Sequence, residues 1–158
     1  VVTESEDIDE FIYLLELTFE KQRRHYTGNK RLIRELMLES FKRKAGRLLF
    51  AIDNFGNRHS CAFFVYDANV CYYLMGGSDP RFRSSGAQSF IIWEAIKFAS
   101  KVSYSFDFEG SMIESIENFF RQFGGMQVLN YVVKKQSFIY NCYDMCKPYI
   151  KRLLKYKI

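Results

Sequence analysis

Proline is almost missing from this chain: there are 2 in 158 residues, alongside 9 glycines. So little of either excludes collagen-like repeats and a disordered low-complexity chain, and indicates a compact fold. Histidine is equally sparse. His25 and His59 stand alone, no Ser or Cys has a recognisable partner for a triad, and both histidines read as structural. Of the 4 cysteines only Cys61 has a histidine nearby, so no metal site is expected. No apolar run approaches the ~18 residues needed to cross a bilayer, so no membrane span is expected. The N-terminus also lacks a basic flank followed by an apolar stretch. Cys61 and Cys71 read as strand positions. Cys142 and Cys146, four apart on a helix face, are poorly placed for a disulfide, which points to buried thiols in a reducing cytoplasm.

What the chain has is apolar bulk: 48% hydrophobic and 18% aromatic residues at a length near that of a common domain, which suits one domain over 1–158. Its opening on Val1-Val2 reads as the tail of a strand already under way, and leads us to expect an upstream segment. The net charge of +5 is unevenly spread. Residues 1–20 carry seven acids and no base, residues 21–47 ten bases and two acids, and residues 134–158 seven bases and one acid. Basic flanks of this kind suit nucleic acid, a phosphorylated cofactor or an anionic membrane, and equally suit solvated helix faces.

Apolar residues Ile8, Phe11, Ile12, Leu15 and Phe19 recur at helical spacing over 4–22, with acids at the start to suit the helix dipole. A second amphipathic helix carries Leu32, Ile33, Leu36, Met37 and Phe41 and ends near Gly46. Strands are expected over 47–53, 58–66 and 70–76 as an antiparallel meander. A helix from about Gly86, a strand over 104–108, a short helix over 112–123, a strand over 128–133 and a terminal helix over 138–156 follow. Strands bridged by helices need crossovers, so the fold expected is α/β (α+β) with a mixed, mostly antiparallel central sheet flanked by helices.

One loop stands out. After Met75 and Gly76 the chain passes through Arg81, Arg83, Ser84, Ser85, Gly86 and Ala87 into a helix. Gly and Ser let backbone N–H groups face outward at a helix N-terminus and the two arginines add charge, which makes a cradle for an anion. Physically, the same residues serve as an ordinary strand-to-helix loop with Ser caps.

The order of elements together with Arg83-x-x-Gly86 resembles the GNAT acyltransferase superfamily, whose pyrophosphate-binding signature for acyl-CoA reads Gln or Arg, two residues, Gly, one residue, then Gly or Ala. The resemblance implies acetyl-CoA or another acyl-CoA as co-substrate, held by Arg81, Arg83, Ser84, Ser85, Gly86 and Ala87. Gln88 stands where the signature closes on Gly or Ala, and a longer side chain there is expected to fill space the backbone should leave open. Oxyanion stabilisation would come from backbone N–H groups where the Met75-Gly76 strand splays from its neighbour.

A second run, Phe106-Asp107-Phe108-Glu109-Gly110-Ser111 followed by Phe119-Phe120-Arg121-Gln122-Phe123-Gly124, looks like the Fem-type aminoacyl transferases of peptidoglycan. That likeness implies a charged transfer RNA as donor, a cell-wall precursor or another amine-bearing small molecule as acceptor, and a second, upstream GNAT-like half. Read from the residues, Asp107 and Glu109 alternate with Phe106 and Phe108, so both acids project from one face. Either acid suits a base that deprotonates an attacking ammonium, with Glu109 nearer the strand end, and both equally suit pairing with a packed helix. Conventional GNAT enzymes carry a Tyr four residues before the Gly that closes the fourth helix. Phe120 holds that position here and cannot donate a proton, which leaves Tyr131 as a candidate acid, a leaving group that needs none, or a domain that binds without catalysis. Lysines interleaved with Tyr140, Tyr143, Tyr149 and Tyr156 suit RNA or an anionic surface, or a helix exposing its lysines. A C-terminal helix would then replace the last strand of the family.

Overall fold

The computed structural model describes residues 1–21, 26–111 and 113–129, with the single residues 131, 133, 135, 137 and 146. It divides into two units, residues 1–126 and 127–158, and the architecture below is that of the first. The elements are β1 (Val2–Glu4), α1 (Ile8–Lys21), α2 (Lys30–Lys42), β2 (Gly46–Ile52), β3 (Arg58–Tyr66), β4 (Val70–Ser78), a 3₁₀ stretch (Pro80–Ser85), α3 (Ala87–Val102), β5 (Ser105–Asp107) and α4 (Glu114–Arg121). The sheet runs β1-β2-β3-β4-β5, antiparallel throughout except for the parallel pair β4–β5 that α3 bridges. It is thus the mixed, mostly antiparallel sheet flanked by helices that the sequence implies.

Each face of the sheet has its own core. On one side Phe11, Leu14 and Leu15 of α1 and Met37 of α2 meet Leu48, Phe50, Cys61 and Phe63. On the other, Ile91, Ala95 and Ala99 of α3 meet Leu49, Ala62, Phe64 and Cys71. The alternation along β2 and β3 sends successive side chains to opposite cores, which is why both strands read as continuous apolar runs. Cys61 and Cys71 are buried free thiols, and burial pushes the Cys71 thiol up to about 12.

Several bounds differ from those expected: β4 runs on to Ser78, and the following strand and short helix are trimmed to Ser105–Asp107 and Glu114–Arg121. The first helix begins at Ile8, since the Asp7 carboxylate accepts the Glu10 N–H at 3.1 Å and so caps it there. Glu4 stays in β1, opposite Leu49. Asp53 leaves the ladder and closes the β2–β3 hairpin, accepting the N–H groups of Phe55 and Asn57, each at 2.8 Å. The expected strand over 128–133 does not form at Val128, Leu129, Tyr131 or Val133, which are all exposed. An apolar, β-branched run becomes a strand only against an edge that offers ladder partners. The terminal helix over 138–156 falls outside the described residues apart from Cys146, which is helical and exposed.

The end of β4 is tied to α1 at Gly77 and Ser78. A Cβ on Gly77 would lie 2.6 Å from the Leu14 carbonyl carbon and from the Leu15 nitrogen. Next to it the Thr18 hydroxyl accepts the Ser78 N–H at 2.8 Å. Backbone of α1 therefore presses directly on β4, and neither side can yield cheaply. Gly77→Ala is expected to destabilise the fold by about 1–3 kcal/mol, read by chemical denaturation.

Candidate functional site

Strand pairing builds the site. β5 pairs with β4 only at Val70↔Ser105, Cys71↔Phe106 and Tyr72↔Asp107, whereas β4 runs on to Ser78. From residue 73 onward β4 has one edge with no strand partner among the described residues. Its register with β3 also shifts there, from Phe64↔Tyr73 to Phe63↔Met75, so Leu74 is a bulge residue. Met75 and Gly76 lie on this open stretch, where unpaired backbone groups can face a ligand.

The loop that follows is held from below. The Asp79 carboxylate is buried, accepts the Arg81 N–H at 2.9 Å, and binds the Arg81 guanidinium at 2.9 and 2.6 Å. That guanidinium holds the Asp79 carboxyl below its usual range. The His59 ring stacks on Phe82 at 3.9 Å and pairs with Asp53 at 3.1 Å, and the His59 carbonyl accepts the Asp79 N–H. Arg81 is therefore engaged within the loop. Arg83, Ser84, Ser85 and Gly86 are exposed, and Arg83 has no acidic partner among the described residues.

Gly86 has φ of +71° and a Cβ added to it would meet nothing within 4 Å, so the turn needs glycine for its backbone and is open above. Ala87 then starts α3 against the core, its N–H taken by the Ser85 hydroxyl at 3.3 Å. The N–H groups of Gln88 and Ser89 have no partner among the described residues, which is the ordinary condition of a helix N-terminus and an attractive one for an anion. Gln88 turns its amide inward: Nε2 donates to the Tyr73 hydroxyl at 3.1 Å and Oε1 is buried. The cradle face stays clear of it.

At the end of β5, Asp107 and Glu109 are both exposed. Asp107 accepts the Glu109 N–H at 2.7 Å, and Glu109 itself has φ of +59°, a left-handed conformation that costs a non-glycine residue about 1 kcal/mol. The Asp107 side chain thus serves the turn, while the Glu109 carboxylate has no partner among the described residues. The aromatics lie together as expected, Phe106 against Phe108 at 4.9 Å. Phe120 of α4 stacks on Phe108 at 4.9 Å and meets Tyr73 edge-on at 6.1 Å, with Phe119 and Phe123 closing the group. Phe120 therefore has a packing role, pinning α4 beside the open edge of β4.

Tyr131 belongs to the second unit and is 86% exposed. Sequence reasoning gave no site role to Tyr73, Asp53 or Asp79, and read His59 as structural. The Asp79-Pro80 pair is a readable cap for a helical turn, but nothing local marks Tyr73. No cluster of metal-ligating side chains occurs among the described residues, and no helix among them is long and apolar enough to cross a membrane. A polar cleft of about 330 Å³ lies beside the loop, between Glu10, Tyr13, Arg58 and Arg81, and does not include the open edge of β4.

Comparison with known proteins agrees with this geometry. Residues 1–114 match the family model described as an acetyltransferase (GNAT) domain. No curated protein sequence matches the chain. Among solved structures, a possible acetyltransferase from Clostridium difficile 630 aligns with a TM-score of 0.67 at 9% identity, covering 87% of this chain and 97% of its own. An aminoglycoside 6'-N-acetyltransferase from Acinetobacter haemolyticus aligns at 0.59 with 15% identity over 87% and 97% of the two chains. AAC(6')-Iy, in complex with the bisubstrate analogue CoA-S-monomethyl-acetylneamine, aligns at 0.62 with 13% identity over the same shares, 87% and 97%. At these identities the likeness is one of fold.

The loop's supports also set its response to acid. Asp53 is held below the usual carboxylate value of 3.8, at about 2, chiefly by the Asn57 amide and then by the Asn57 N–H, His59 and the Phe55 N–H. A depressed carboxyl contributes stability that is complete above its unfolded pKa and lost as pH falls through the folded one. The melting temperature is expected to fall as pH drops from about 4 to about 2. Asp53→Asn should lie lower at neutral pH and fall less steeply across that window, read by thermal melts at constant ionic strength.

Proposed function

Since the chain belongs to the GNAT acetyltransferase domain family, we propose that it transfers an acyl group from acyl-CoA to an amine, with the donor lying along the open edge of β4. The observation that carries this reading is the early end of the β4–β5 pairing, which leaves one edge of β4 from Tyr73 onward without a strand partner among the described residues, shortly before an exposed Arg-Ser-Ser-Gly turn at the N-terminus of α3. The residues fit a pyrophosphate: Arg83 supplies charge, the Gln88 and Ser89 N–H groups point out of the helix, and the space above Gly86 is open. Arg81 supports the loop through Asp79 and adds its charge from the rim.

Bound acyl-CoA would supply an activated thioester carbonyl. The chain's own part is to position it, offer backbone N–H donors from the Met75 and Gly76 region to the carbonyl oxygen, and take a proton from the attacking ammonium. Glu109 suits that last role because it is exposed and unpaired, whereas Asp107 serves mainly to hold the turn that presents it.

The Fem-type reading, in which an aminoacyl group comes from a charged transfer RNA and goes to a cell-wall precursor, is favoured by one observation. Phe120 and its aromatic neighbours fill the position of the conventional acid with a packed ring. A cytoplasmic site of action and an upstream GNAT-like half belong to that second reading.

Titration calorimetry with acetyl-CoA tests the first reading. Saturable binding is expected, abolished by Gly86→Glu and weakened about tenfold by Arg83→Ala, with a smaller effect for Arg81→Ala. No binding at millimolar acetyl-CoA would sink it. Against a panel of primary amines, thiol release from acetyl-CoA should fall about 10²-fold in Glu109→Gln. Unchanged turnover in that variant would remove Glu109 as the base.

A further inference from the structure

The thiolate that leaves an acyl-CoA is protonated in this family by a tyrosine hydroxyl at the position of Phe120, a side chain with no proton to give. Across the aromatic group from Phe120 stands another hydroxyl. Tyr73 is the first residue of β4 beyond the last pair with β5, so its backbone begins the open edge. The ring meets Phe120 edge-on at 6.1 Å. The hydroxyl turns along the strand and occupies the place a Cβ on Gly76 would take. The bulge at Leu74 makes this possible, because the extra residue brings positions 73 and 76 to one side of the strand. Gly76 is then the one residue type that leaves room for the phenol.

The hydrogen bonding around Tyr73 suits a proton donor. Its oxygen accepts from Gln88 Nε2 at 3.1 Å, and its own proton has no acceptor among the described residues. An amide donor on the oxygen also stabilises the phenolate that remains once the proton has gone. Burial, followed by the neighbouring Cys61 thiol, raises the Tyr73 pKa above its ordinary value and opposes release of the proton, whereas the Gln88 hydrogen bond works the other way. Gln88 is the position that departs from the family's small residue, and the two departures, Gln88 and Phe120, both touch Tyr73, whose ring also packs on the core beneath α3.

We infer that Tyr73 is the general acid of this domain, a role moved from α4 to β4, with Gln88 as its positioning residue. The inference rests on the acyl-CoA reading above. In the step, the amine nitrogen forms a bond to the thioester carbonyl carbon and loses a proton to the base. The C–S bond breaks, its electron pair goes to sulfur, and the Tyr73 O–H gives sulfur its proton. The phenolate regains a proton from solvent, and the products are an amide and free CoA thiol.

The test compares the binding of CoA and desulfo-CoA to the wild-type chain and to Tyr73→Phe by calorimetry at pH 7, with thiol release in the amine panel as a second readout. If the hydroxyl meets the sulfur, Tyr73→Phe binds CoA about fivefold more weakly while desulfo-CoA binds as before, and turnover falls about 10²-fold. Equal CoA affinity in the two proteins overturns the inference. So does an equal loss for CoA and desulfo-CoA, which marks a packing role. If the wild-type chain binds neither ligand, the acyl-CoA reading falls and this inference with it. Binding by the wild type without discrimination by Tyr73→Phe removes the inference alone.

Discussion

The parallel pairing of β4 with β5 ends at Tyr72 and Asp107, and the geometry of the candidate site follows from that short contact. A parallel pair is held in register only while both strands continue side by side. β5 turns away after Asp107, where Glu109 and Gly110 both adopt positive φ, while β4 runs on toward α3. The divergence leaves one edge of β4 without a strand partner among the described residues. An unpaired edge costs free energy unless water, a ligand or another strand satisfies it, so its presence beside an open, positively charged turn is the physical basis for reading the place as a binding site.

Two sets of contacts keep the opening from closing. On the loop side, Asp79 and Arg81 form a charged knot at the start of the 3₁₀ stretch, and His59 on Phe82 fastens the same segment to β3. These contacts engage Arg81 and leave Arg83 exposed, which separates a supporting cation from one available to an anion. On the strand side, Phe106, Phe108, Phe119, Phe120 and Phe123 pack together and hold α4 beside the end of β5. Aromatic groups of this kind bury much area with little rotamer entropy to lose, so a helix as short as α4 can be fixed in place by them.

The departures from the family pattern are connected. Gln88 would obstruct the cradle if it lay across the loop, but its amide folds under α3 to reach Tyr73. Phe120 lacks a hydroxyl, yet its ring is one wall of the space that holds the Tyr73 ring. Gly76 completes the arrangement by leaving room for the phenol. A change at any one of these positions alters the surroundings of the others, so the four are expected to be energetically coupled rather than additive.

Much of this architecture was legible in the amino-acid order. Helical spacing marked α1 and α2, β-branched and aromatic runs marked β2, β3 and β4, and the Arg-Ser-Ser-Gly turn marked the entry to α3, because these signals are local and periodic. The pairing of the Phe106–Phe108 aromatics was also as expected, although Phe108 lies just beyond β5 and is held there by Phe120 and Phe123. What the order of residues could not decide was which strand edge stays open, that Arg81 turns to Asp79, that Val128, Leu129, Tyr131 and Val133 lie outside any strand, and that Tyr73 meets Gln88, Gly76 and Phe120. The open edge depends on which strands pair, and the surroundings of Tyr73 depend on packing against α3 and α4 and on a one-residue bulge that changes which side chains share a face. Sequence alone determined most of the elements and the chemistry available. Tertiary structure decided which groups stand together, because only packing sets the distances over which charge and proton transfer act.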